Sequence, residues 1–108
     1  LVGVPYVFTG MSLSGFDCSG FVGYVYANYY GISLPRVSRD IAQRGTSVNE
    51  SDIRAGDVVA YDYSGNGVVD HVGLYIGGGK LVHASSRNGQ VVLTNFTMNN
   101  VTTIRRFI

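Results

Sequence analysis

The chain carries one cysteine, Cys18, and two histidines, His71 and His83. One thiol and two imidazoles are enough for nucleophilic catalysis, if the fold brings them together. Cys18 lies in Gly15-Phe16-Asp17-Cys18-Ser19-Gly20-Phe21-Val22. A turn-forming glycine and an aspartate precede it, and an apolar-periodic segment follows. That pattern puts the thiol in the first turn of a helix, where unpaired N–H groups and the positive end of the dipole favour a thiolate. The expected consequence is a cysteine pKa below its ordinary value of about 8.5. Asp17 reads as the cap of that helix, and Ser19 as a residue satisfying its first turn.

The elements that must position these groups follow from periodicity. Residues 18–30 read as a helix closed by Gly31. Cys18, Val22, Val25 and Tyr29 share one stripe, so the thiol faces the buried side, with Gly20 and Gly23 permitting close approach. Residues 1–17 read as an extended or looped entry, with Pro5 blocking helix continuation. Leu34-Pro35-Arg36 is a connector, residues 38–44 a short helix closed by Gly45, and residues 51–54 one further turn. From Asp57 the period changes to that of strands, expected over 57–63, 68–76, 80–85, 90–95 and 102–107 and joined by Gly- and Asn-rich turns. We expect an antiparallel meander, and helices followed by strands make an α+β fold.

Strand parity brings the histidines together. Val72, Leu74 and Ile76 on one strand and Val82 and Ala84 on the next form an apolar even face, so His71 and His83 share the odd face. A three-residue loop over 77–79 sets that register. It places Gly73 opposite His83 and His71 diagonal to His83, on the order of 7 Å away and within reach of a shared hydrogen bond. A two-residue loop would separate them. Gly73 is expected to leave room for the helix end carrying Cys18. Asp70, of opposite parity, should face away from His71.

Composition narrows the class. A chain of 108 residues, 45% hydrophobic and 14% charged, with 15 Gly and 8 Tyr, suits one turn-rich folded domain over 1–108. A net charge of +1, without basic runs, argues against nucleic acid as a partner. No apolar run has membrane-spanning length. The abrupt apolar opening Leu1-Val2-Gly3-Val4-Pro5 leads us to expect a fragment or mature domain, with any targeting segment or further domain lying upstream.

Taken in order, Pro5-Tyr6-Val7-Phe8, Gly15 to Val22, Leu34-Pro35-Arg36, Gly56-Asp57-Val58-Val59, Asp70-His71-Val72-Gly73-Leu74-Tyr75-Ile76-Gly77 and Val82-His83-Ala84 closely resemble the NlpC/P60 family of bacterial cell-wall cysteine peptidases. The resemblance runs from about Gly3 to Ile108. It implies a papain-like α+β fold, with the cysteine helix packed on an antiparallel five- or six-stranded sheet or small barrel. It implies hydrolysis of peptidoglycan stem peptides, between γ-D-glutamate and a diamino acid (meso-diaminopimelate or lysine), outside the cell or at its wall. Family roles fall on Cys18 as nucleophile, His71 as base, His83 as the group orienting it, and Tyr6 as an oxyanion donor. Asp17 and Ser19 match groove residues, and Arg36 would suit an anionic glutamyl carboxylate. No metal or organic cofactor is implied. Thr9-Gly10 departs from the family's usual Gly-Gly. Three other readings use the same residues: an amidase or transpeptidase with the same Cys–His pair, a wall-binding module without activity, and a zinc site of Cys18, His71 and His83 with water.

Overall fold

A computed structural model describes residues 1–108. Strands β1 (Met11–Ser12) and β2 (Gly15–Phe16) make a small hairpin ahead of helix α1 (Cys18–Val25). The helix starts where expected. Asp17 is extended (φ −87°, ψ −179°), and its Oδ1 accepts the Gly20 N–H at 2.6 Å. A π-helical turn, Tyr26–Tyr30, follows and closes at Gly31 in the left-handed region (φ 66°). That turn shifts the phase of the helix. Tyr29, assigned to the buried stripe by a period of 3.6, is instead 69% exposed, and Tyr26 is fully buried. The Tyr26 hydroxyl donates to the Gly56 carbonyl and ties the helix to the turn before the central sheet.

After α2 (Ser38–Ile41), the chain builds one six-stranded antiparallel sheet. Its strands are β3 (Thr46–Ser47), β4 (Val58–Tyr61), β5 (His71–Gly77), β6 (Lys80–Ser85), β7 (Gln90–Asn95) and β8 (Val101–Arg106). The spatial order is β3-β8-β4-β5-β6-β7. The expected meander therefore holds for β4 to β7 only. The last strand crosses back to pair with β4, and the two-residue strands β1, β2 and β3 are too short for periodicity to reveal. Arg106 secures the crossover. Its Nε and a terminal nitrogen each reach the Asp57 carboxylate at 2.8 Å, and Asp57 is 1% exposed. Asp57 also accepts the Arg54 N–H at 3.0 Å and so fixes the turn into β4. Removing Arg106 would leave the buried Asp57 carboxylate without its charge partner, a destabilising change.

The sheet is buried on both faces. On one, Val58, Ala60, Val72, Leu74 and Ala84 pack with Phe16, Phe21, Val22 and Tyr26 of the helical layer. On the other, Val59, Tyr61, Tyr75, Leu81 and Ile104 form a second, smaller core. The helix thus lies on the even face, and the odd face carries its own apolar cluster, from Tyr61 beside His71 to Tyr75 and Leu81 near the hairpin turn.

The β5–β6 hairpin reaches the expected parity by another route. Gly77 pairs with Lys80, so the loop has two residues, Gly78 and Gly79. Taken alone, that would put the histidines on opposite faces. A bulge between Tyr75 and Gly77 inserts one residue and restores the register, with Tyr75 opposite Leu81 and Leu74 opposite Val82. Continued one step, this register puts Gly73 beside His83. A Cβ on Gly73 would lie 3.2 Å from the His83 Cβ and 3.0 Å from Leu81 Cδ2. The absent side chain makes room for these two residues, not for the cysteine helix. The close approach of the helix is at Gly20, where a Cβ would run into the Gly10 carbonyl oxygen, whereas Gly23 faces open space.

Candidate active site

Cys18, His71, His83 and Tyr6 line one cavity of about 800 Å³. Each arrives from a different element. Cys18 opens α1, which packs across β5 and β6. His71 is the first residue of β5, directly opposite Tyr61 of β4. His83 comes from β6. Tyr6 is held by an isolated bridge to Phe16 and by its N–H, which donates to the Gly89 carbonyl at 2.8 Å. The last registered pair of β5 and β6 is Leu74 with Val82. Beyond it, the Val72 N–H is directed to the Cys18 sulfur. The thiol from the helix side and the imidazoles from the sheet thus line the same cavity.

The two histidines touch. His71 Nε2 and His83 Nδ1 are 2.8 Å apart, with the rings nearly perpendicular at 86°. Since Nε2 of His71 is engaged, Nδ1 is the ring nitrogen left to exchange a proton with the thiol. In the base-competent tautomer, Nε2–H of His71 donates to Nδ1 of His83. The same geometry bears on the zinc reading. Two imidazole nitrogens on one zinc direct both lone pairs at the metal, at about 2.0–2.1 Å each. Here the two nitrogens point at each other.

Burial dominates the electrostatics. It pushes the Cys18 thiol above its ordinary pKa; the Val72 N–H opposes this, the Asp17 carboxylate adds to it, and the N–H groups of Ser19 and Cys18 itself also oppose it. The helix start alone predicts the reverse shift. It loses because the thiol is desolvated and the capping carboxylate already occupies the positive end of the helix. Burial likewise drives His71 down to about 4, with the neighbouring His83 contributing in the same direction and Asp70 against it. Burial lowers His83 too. Both shifts disfavour a thiolate–imidazolium pair in the free site and favour the neutral thiol and the neutral imidazole. Tyr6 is raised by burial and by the nearby Cys18 and Asp17 charges, so its hydroxyl keeps its proton and can donate.

The remaining sequence-derived candidates form a separate group. Arg36 reaches both Asp17 oxygens, at 3.2 and 2.9 Å, and the Ser19 Oγ at 2.9 Å. These three residues are closed on one another at the start of α1 and are not in the cavity wall. Asp70 does border the cavity, but its oxygens accept the N–H groups of Tyr63 and Ser64, each at 3.0 Å. It holds the loop before β5 and makes no hydrogen bond to His71.

Periodicity missed Tyr63, Arg87 and Asn100, which complete much of the wall. Tyr63 stacks on Tyr61 at 5.1 Å and lies 5.3 Å from the His71 ring, an aromatic cover on the imidazole. The parity that pairs the histidines also puts Tyr61 beside His71, which is a usable signal. Arg87 and Asn100 sit in turns, where strand parity is silent.

Comparison with known proteins agrees with this architecture. A model of the NlpC/P60 family matches residues 3–106. A γ-D-glutamyl-L-lysine dipeptidyl-peptidase of Bacillus subtilis is 41% identical over 89% of this chain and 32% of its own length. The murein DD-endopeptidase MepS/murein LD-carboxypeptidase of Escherichia coli K12 is 39% identical over 83% of this chain and 47% of its own. The chain thus spans less than half the length of either relative. The crystal structure of an NlpC/P60 family protein from Bacillus cereus superposes with a TM-score of 0.88 at 32% identity, covering 97% of this chain and 36% of that one.

Proposed function

This chain belongs to the NlpC/P60 family, and on that premise we propose that it is a cysteine peptidase of bacterial peptidoglycan, cleaving stem peptides between γ-D-glutamate and a diamino acid at the cell wall. The observation that carries the reading is the convergence of Cys18, Tyr6 and the hydrogen-bonded His71–His83 pair on one cavity. The bond assigned follows the B. subtilis relative, whose name specifies a γ-D-glutamyl-L-lysine linkage.

The chemistry starts from neutral partners. As the Cys18 sulfur attacks the amide carbonyl, its proton passes to His71 Nδ1, and the imidazolium is steadied through Nε2–H by His83. The carbonyl oxygen becomes an oxyanion. Its donors are the Tyr6 hydroxyl and the Cys18 backbone N–H, and losing one such donor typically raises the barrier by about 3 kcal/mol. The C–N bond then breaks, and His71 returns the proton to the leaving amine. Water, deprotonated by His71, hydrolyses the thioester and frees the thiol. A neutral orienting group does not hold a standing imidazolium as a carboxylate would. The nucleophile is therefore unmasked in the attack itself rather than stored as a thiolate.

The test is digestion of a γ-D-glutamyl-L-lysine stem peptide, with products identified by mass spectrometry. Wild type should release the peptide ending in γ-glutamate, and Cys18→Ala should be inactive with unchanged circular dichroism and Tm. Turnover by Cys18→Ala, or cleavage only at another bond, overturns the reading.

A further inference from the structure

The catalytic cavity contains one guanidinium, and the mechanism above gives it no task. Arg87 stands on the turn between β6 and β7 and lines the cavity with Cys18, His71 and His83. It belongs to neither of the chain's two ion pairs, which are Arg36–Asp17 and Arg106–Asp57. The other charged group of the wall, Asp70, is engaged with the N–H groups of Tyr63 and Ser64. The cavity thus presents one unpaired positive charge to its occupant.

The turn that carries Arg87 is pinned at both ends. Ser85, 6% exposed, accepts the Asn88 backbone N–H and side-chain amide through its Oγ, both at 3.1 Å. Gly89 accepts the Tyr6 N–H, Gln90 bridges to Pro5, and the Val91 N–H donates to the Val4 carbonyl at 2.8 Å. Arg87 is therefore mounted between the strand bearing His83 and the segment bearing Tyr6. A planar fork of donors on a braced turn, facing a polar cavity, is matched to a carboxylate.

We propose that Arg87 is a specificity-determining residue that binds a free carboxylate of the substrate beside the scissile amide. The inference rests on the function proposed above and extends it. A γ-glutamyl amide leaves the α-carboxylate of glutamate free, one short side chain from the reacting carbonyl, and a diamino acid that ends the peptide, or diaminopimelate at any position, brings a second carboxylate on the leaving side. Arg36, the cation that sequence reasoning offers for this task, is closed on Asp17 and Ser19 outside the cavity.

The experiment compares three peptides with wild type, Arg87→Ala and Arg87→Lys. The first is L-alanyl-γ-D-glutamyl-L-lysine with both carboxylates free. The second has the glutamyl α-carboxylate amidated, and the third has the lysine carboxylate amidated. Wild type should lose roughly ten- to thirtyfold in kcat/KM, mostly through KM, on the analogue lacking the bound carboxylate, which identifies that carboxylate. The size is that of a charge-assisted hydrogen bond reduced by solvent exposure. Arg87→Ala should lose the same factor on the free acid and be indifferent to amidation, and Arg87→Lys should recover part. Raising salt should shrink the wild-type discrimination. If wild type cleaves all three peptides equally, or Arg87→Ala discriminates as wild type does, this inference alone is overturned. If wild type cleaves none, the proposed function fails and takes the inference with it.

Discussion

His71 should make the fold acid-labile, by an amount its burial sets. Its ordinary pKa is 6.5, and in the folded protein burial and the neighbouring His83 lower it to about 4. Between those values the unfolded chain binds a proton that the native site refuses. Stability is then at its full value above pH 6.5 and falls as pH drops toward 4. At about 1.36 kcal/mol per unit, roughly 2.5 kcal/mol should be lost by pH 4.5 from this side chain alone. The perturbation is His71→Gln, which keeps a donor and an acceptor near His83 but cannot be protonated. Urea unfolding of wild type and variant at pH 7.5 and 4.5 gives four free energies. The wild type should lose about 2.5 kcal/mol more than the variant between the two conditions. His83 and Asp70 titrate in both proteins and cancel to first order, the His71 charge being the smallest contribution to Asp70 and burial the cause of the His83 shift. Activity provides a second readout, because an imidazole unprotonated down to pH 4 should put the acid limb of kcat/KM well below 6.5. Equal losses in the two proteins, or an acid limb at pH 6–7, would refute the neutral resting site and restore the ion pair.

Two further outcomes are expected. His83→Asn should retain part of the activity, since an amide can still accept from His71 Nε2–H, whereas His83→Leu should lose most of it through kcat; near-wild-type kinetics in His83→Leu would exclude an orienting role. Thr9 adopts φ 62°, a left-handed conformation unfavourable for a β-branched residue. Thr9→Gly should therefore stabilise the fold by about 0.5–1 kcal/mol, the relief of strain being partly offset by the greater freedom of glycine when unfolded. Urea titration would show it, and a loss of stability would mean that the threonine side chain contributes more than its backbone costs.

The readable part of this chain was its local chemistry. The cap at Asp17, the C-terminal glycine at 31 and the apolar alternation of β5 and β6 are short-range signals, and each appears in the fold. The side on which His71 and His83 meet was readable because parity needs only the loop and the pattern. Even so, the chain reached that parity through a two-residue turn and a bulge, which no count of loop residues reveals. Other features depend on distant partners. The crossover of β8 rests on Arg106 and Asp57, 49 positions apart. The wall residues Tyr63, Arg87 and Asn100 sit in or beside turns, where side-chain direction is set by tertiary packing.

The thiol shows most plainly where local reasoning stops. A cysteine at a helix start predicts a thiolate when the dipole is counted alone. The folded site adds desolvation, a property of the assembled neighbourhood, and the Asp17 carboxylate at the cap works in the same direction, so the sign is reversed. The reversal has a chemical consequence. A stored thiolate would react with any accessible electrophile, whereas a thiol of raised pKa holds a smaller thiolate fraction and relies more on proton transfer during attack on the carbonyl. An uncharged orienting group, His83, thus favours nucleophilicity in the presence of substrate over standing reactivity.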